Sequence, residues 1–151
     1  MKNNPLIMTT RSITFGITII LMVFSSNTWA EKDSRQAVVL DDVNRAFVLH
    51  EMRQNVKGIQ QAITALSRDD MKGVASALRT LGMQSMANVP PTLMNSVPGG
   101  FMQIGMPNHM AFDNIANAAE KGASTKDILS SLGMAMKRCV ACHAAYRIES
   151  K

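Results

Sequence analysis

Cys139-Val140-Ala141-Cys142-His143 contains both cysteines of this 151-residue chain and one of its three histidines. On a helix, positions i, i+3 and i+4 emerge on one face within a single turn. Two thiols and an imidazole would therefore share one wall. C-x-x-C-H is the attachment signature of c-type haem. Thiols one turn apart can each add to a porphyrin vinyl group, giving two thioethers. The histidine directly after the second is then held under the iron, where its ring nitrogen becomes the proximal ligand. The motif predicts one covalently attached haem c per chain, with Cys139 and Cys142 as tethers and His143 as an iron ligand.

Other chemistry for the same residues needs other surroundings. A thioredoxin-like C-x-x-C pair opens a helix that follows a strand, whereas these cysteines fall deep in a C-terminal helical pattern. A zinc site would need a fourth ligand from His50 or His109, and structural zinc sites usually show paired ligand clusters. A plain disulfide leaves His143 without a role. Met94, Met102, Met106 and Met110, four of thirteen methionines, offer thioethers of the kind that bind Cu(I). Pro107 is expected to interrupt any one helix carrying the last three, so they read more simply as an apolar lid over the haem edge.

The elements that must position the motif read as helix throughout the mature chain. Lys2 and Arg11, the apolar run Ile13–Phe24 and the small-residue site at Ala30 form a secretory signal, 1–30, cut after Ala30. Its apolar stretch falls short of the roughly 20 residues that span a bilayer, so no stable membrane span is expected after cleavage. One domain, 31–151, remains. A first helix is expected from about Ser34 to Leu66, with a seam at Leu49, Met52, Val56, Ile59, Ile63 and Leu66. One heptad before Met52 the seam meets Arg45, a charge where packing asks for an apolar residue. Ser67 or Asp69 is expected to cap a second helix, which runs from Met71 and frays near Gly82. From Asn88 to Pro107 four prolines and three glycines predict irregular chain. A third helix fits Asn108–Glu120. A last one, capped by Ser124 or Thr125, reaches about Ile148. Two long and two shorter amphipathic helices predict an all-α, antiparallel four-helix bundle with the haem between helices.

Composition narrows the class further. The formal charge is +5, yet no basic stripe with interleaved aromatics occurs, so nucleic acid is not implied. The modest positive balance could steer an acidic partner without specifying one. Export implies an oxidising compartment, the periplasm, where two spare thiols would ordinarily form a disulfide. Tethering a cofactor gives them another use.

With Cys-Val-Ala-Cys-His-Ala-Ala-Tyr-Arg closing a four-helix pattern, the mature chain resembles the class II cytochromes c, the cytochrome c′ group. Tyr146 and Arg147 match the aromatic residue and arginine that this group places after the haem histidine. The resemblance implies that Arg147 lies close to the proximal histidine. It further implies that Arg45 meets a haem propionate and that Met52 lies on the distal side of the iron. A charge on an apolar seam is costly unless paired, and a propionate would pair Arg45. Low-spin members carry methionine at the distal position, and a thioether there stabilises ferrous iron and raises the potential. His50, two residues from Met52 and about 200° around a helix, cannot face the same iron.

These expectations describe a periplasmic monohaem cytochrome that carries one electron between redox partner proteins and transforms no substrate. The alternative is a five-coordinate, cytochrome c′-like protein that binds nitric oxide or carbon monoxide. An enzyme such as a peroxidase would want a distal acid–base group, and the seam near Met52 offers none apart from Arg45. The resemblance also makes a homodimer through the first two helices possible.

Overall fold

In the computed structural model, which describes residues 32–151, Asp41 marks the point where an extended strand turns into a helix. Strand β1, Gln36–Leu40, alternates in burial: Val38 and Leu40 face the interior and Val39 faces out. It pairs in parallel with β2, Tyr146–Ser150, in a register that sets Gln36 against Tyr146 and Leu40 against Ser150. The backbone N–H of Lys151 extends the ladder to the Leu40 carbonyl at 3.0 Å. Two expectations are corrected here. The first helix does not begin at Ser34 and the last does not reach Ile148. β-Branched residues with period-two alternation favour a strand once a partner is available, and that partner comes from the other end of the chain.

Helix α1, Asp42–Leu66, starts where the Asp41 carboxylate accepts from the Asn44 backbone N–H at 2.8 Å. The same carboxylate accepts from the Asn44 side chain at 3.0 Å, and Thr92 Oγ1 donates to Asn44 Oδ1 at 3.1 Å. Asn44 is thereby buried with its amide satisfied. The buried face of α1 also carries Val48, Gly58, Ala62, Ala65 and Leu66. The expected seam is offset from it: Leu66 is buried, but Met52, Val56 and Ile59 line a cavity instead, and Ile63 is 46% exposed. Small and polar residues occupy the contact face where other elements approach closely. A Cβ on Gly58 would lie 2.6–2.7 Å from three side-chain carbons of Leu81.

Asp69, at φ 54°, makes the turn, and Asp70 rather than Ser67 or Asp69 caps α2, Met71–Arg79, by accepting from the Gly73 N–H at 2.8 Å. A 3-10 helix, Met83–Asn88, and a single-turn α3, Leu93–Ser96, follow. Helix α4 spans Gly99–Glu120 and carries Pro107 inside it. The irregular stretch predicted up to Pro107 is thus half helix. Proline removes one ladder bond, to the Gln103 carbonyl, but does not forbid the turns around it when packing holds them. Ser124 caps α5, Thr125–Ala145, by accepting from the Asp127 N–H at 3.2 Å.

Among the described residues, five α-helices dominate and none is long and apolar enough to cross a membrane. The fold is mostly helical. Helix α1 packs on α2, α2 on α4 and α4 on α5, whereas α1 and α5 hardly touch. Arg79 joins α2 to α4 through Glu120 at 2.8 Å, Asp113 at 3.5 Å and the Asn117 side chain. The core is correspondingly divided. One cluster, around Phe112, Leu78 and Ile128, fills the end near the α1–α2 and α4–α5 turns. A smaller one, around Val38, Leu40, Val48 and Leu93, lies under the sheet.

Candidate functional site

The gap between α1 and α5 is a cleft of about 250 Å³. From α1 it takes Met52 and Val56, from α4 Phe101, Met102, Met106 and Asn108, and from α5 Met136 and the motif residues Cys139, Cys142 and His143. The helical spacing puts both thiols and the imidazole on the same wall, as the sequence predicts. Both cysteines are free and partly buried, and His143 stands exposed in the last turn of α5. Burial pushes the Cys142 thiol up, and neighbouring Cys139 adds to the shift. The Cys142 group is therefore held in its neutral, protonated form at neutral pH.

A second recess of about 290 Å³ shares Met52, Phe101, Cys142 and His143 with the cleft and adds Arg35, Tyr146 and Arg147. Its polar rim is built by β2 and the residues just before β1. Arg35 Nη1 donates to the His143 carbonyl at 3.3 Å, while its Nε and Nη2 hold Asp33 at 2.9 and 2.7 Å. Arg147 Nη1 donates to the Asp33 carbonyl at 3.2 Å and to the Arg35 carbonyl, and its Nε to Glu149 at 2.8 Å. Tyr146 closes α5 with its backbone N–H on the Cys142 carbonyl. Its ring meets Phe101 edge-on, centroids 5.5 Å apart. The guanidinium beside Asp33 holds that carboxyl down at about 2.

Met52 lines both cavities and is partly buried against the sheet-side core. Arg45 lines neither, and its Nε is buried without a hydrogen-bond partner. The cations that do stand on the rim, Arg35 and Arg147, owe their places to strand pairing. No periodicity along one helix reveals Arg35, which lies outside every helix. His50 is exposed and lines neither cavity. His109 borders the cleft, with Nδ1 2.8 Å from the Leu81 carbonyl and 3.2 Å from Ser85 Oγ. A carbonyl only accepts, so Nδ1 carries the ring proton. Met102, Met106 and Met110 do lie on one helix, contrary to expectation, but Met110 and Met94 are exposed and outside the cleft.

Set against protein-family models, curated proteins and solved structures, the chain matches none.

The cleft itself indicates what would suit it. Its walls are mostly methionine, phenylalanine, isoleucine and valine side chains, a surface that water solvates poorly and that a flat apolar group would cover. Among the described residues, no three or more histidine, cysteine, aspartate or glutamate side chains are grouped to hold a bare metal ion. A porphyrin brings four nitrogen ligands of its own and asks the protein for one or two more. The donor set of two thiols, an imidazole and a thioether in one apolar cleft therefore fits haem. Two side-chain oxygens of lining residues, Asn55 Oδ1 and Asn108 Oδ1, are buried without partners.

Proposed function

We propose that the chain is an exported, single-haem c-type cytochrome of the class II kind, in which α1, α2, α4 and α5 form a four-helix bundle around the cofactor. It carries one electron between partner proteins and transforms no substrate. The observation that carries the reading is that Cys139, Cys142, His143 and Met52 all line one apolar cleft between helices that hardly touch. Cys139 and Cys142 would hold the haem covalently, and His143 and Met52 would ligate the iron from α5 and α1. Bound there, haem supplies a reversible one-electron change at iron. The residues of the chain set the conditions for that change. Met52 would favour the ferrous state, and the Phe101 and methionine walls would keep water away. Arg35 steadies the last turn of α5 through the His143 carbonyl.

The test is the absorption spectrum of the chain matured with haem in a bacterial periplasm, oxidised and reduced, and again for Met52→Ala. A low-spin parent spectrum with the weak far-red methionine–iron band, lost in the variant, supports the electron carrier. A high-spin parent spectrum, unchanged by the substitution and shifting with carbon monoxide, overturns it in favour of gas binding.

A further inference from the structure

Asn108 is only 8% exposed, yet it stands in the apolar wall of the cleft. Its Nδ2 donates to Cys139 Sγ at 3.6 Å across the α4–α5 contact, and its Oδ1 has no partner. With the amide turned over, Oδ1 would accept from the Cys139 thiol and Nδ2 would be the free end. Either way one end of the amide is on the sulfur. A leucine has the same branching and leaves no orphaned polar atom, so packing alone does not account for an amide here.

We infer that Asn108 is a positioning residue for the Cys139 sulfur, holding it against α4 and away from Cys142 so that both thiols remain available on the cleft wall. Its value to the protein rests on the haem-attachment reading, since only a thiol kept out of a disulfide can form a thioether. Cysteines at i and i+3 have Cβ atoms about 5–6 Å apart on a helix, whereas a disulfide wants about 3.8 Å. Bridging them requires the α5 backbone to distort locally and at least one sulfur to leave its place. A hydrogen bond that fixes Cys139 opposes that movement.

The experiment uses the full chain without haem, equilibrated with reduced and oxidised dithiothreitol. Two thiols lose two protons and two electrons to the oxidised reagent as the S–S bond forms, and the constant is read by trapping and mass. Asn108→Leu, which keeps the number and branching of side-chain heavy atoms and removes the amide, is expected to raise the constant roughly two- to tenfold, the effect of one lost hydrogen bond. Asn108→Ala is expected to do at least as much. An unchanged constant in Asn108→Leu overturns the inference, including the case where only Asn108→Ala shifts it and the residue serves as filler.

Should Asn108→Leu fail to fold by circular dichroism, the side-chain NH₂ of Asn108 decides in the parent chain. Slow hydrogen exchange there that becomes fast in Cys139→Ala supports the bond, as does, for the turned amide, a Cys139 S–H stretch lowered by hydrogen bonding and restored in Asn108→Ala; the absence of both overturns it. Because no haem takes part, the two ideas fail separately. A parent chain that never acquires haem removes the electron-carrier reading, while an unchanged constant removes only the role of Asn108.

Discussion

The guanidinium of Arg35 donates to the backbone carbonyl of His143 at 3.3 Å, joining residues 108 positions apart. Carbonyls in the last turn of a helix lack intrahelical donors, and a cation there satisfies one and opposes the negative end of the helix dipole. The last turn of α5 carries Cys142 and His143, so its order depends on a side chain that precedes β1. Arg35→Ala is expected to speed amide exchange at Tyr146, whose N–H bonds to the Cys142 carbonyl, while amides in the middle of α5 keep their parent rates. Residue-resolved hydrogen exchange checks this.

Acid should undo the same anchor in a defined window. Asp33 is lowered from 3.8 to about 2, chiefly by its hydrogen bonds with Arg35. A depressed carboxyl contributes stability that is complete above its unfolded value and is lost as pH falls through the folded one. The melting-temperature gap between the parent and Asp33→Asn is therefore expected to be constant from pH 7 to about 5. It should narrow between pH 4 and 2. Thermal melts across that range test the sign.

Gly58 should resist even a methyl group. Alanine in a free helix is better than glycine by about 1 kcal/mol, but here its Cβ would meet the Leu81 side chain at 2.6–2.7 Å. Leu81 is only 1% exposed and has little room to move. Gly58→Ala is expected to destabilise by about 1–3 kcal/mol, the usual range for overpacking. In Leu81→Ala the same change should cost less or even stabilise. Denaturant unfolding of the four proteins measures that coupling.

Asp41→Ala should cost about 1–2 kcal/mol, the effect of a lost helix cap with a buried amide left short of a partner. The carboxylate receives both the N–H and the side chain of Asn44, which is itself fully buried. Asp41→Asn keeps an accepting oxygen and is expected to recover most of the loss in the same unfolding assay.

Much of the site can be read along one helix. The spacing of Cys139, Cys142 and His143, with Ser124 opening α5, suffices to place both thiols and the imidazole on a common wall. Met52 is legible as a methionine on a helix seam, and it does line the cleft. The contact face of α1 is less legible. Its closest approaches use Asn44, Gly58 and Ala62, which a hydrophobic pattern passes over in favour of Val56 and Ile63. Pro107 misleads in the opposite direction, since a local breaker is overruled once α4 is packed between α2 and α5.

The sequence by itself determined the chemistry-bearing motif and the mostly helical character, because both depend on residue types within one or two helical turns. Tertiary structure alone decided the rest. Val38, Val39 and Leu40 become a strand because Tyr146–Ser150 arrives beside them. That pairing, and not a heptad on α1, puts Arg35 and Arg147 on the rim beside His143 and leaves Arg45 outside both cavities. It also takes the approach of α4 to α5 to bring Asn108 to the Cys139 sulfur. Contacts across 30 to more than 100 residues are set by which surfaces meet after the chain has closed, and no local periodicity encodes that meeting.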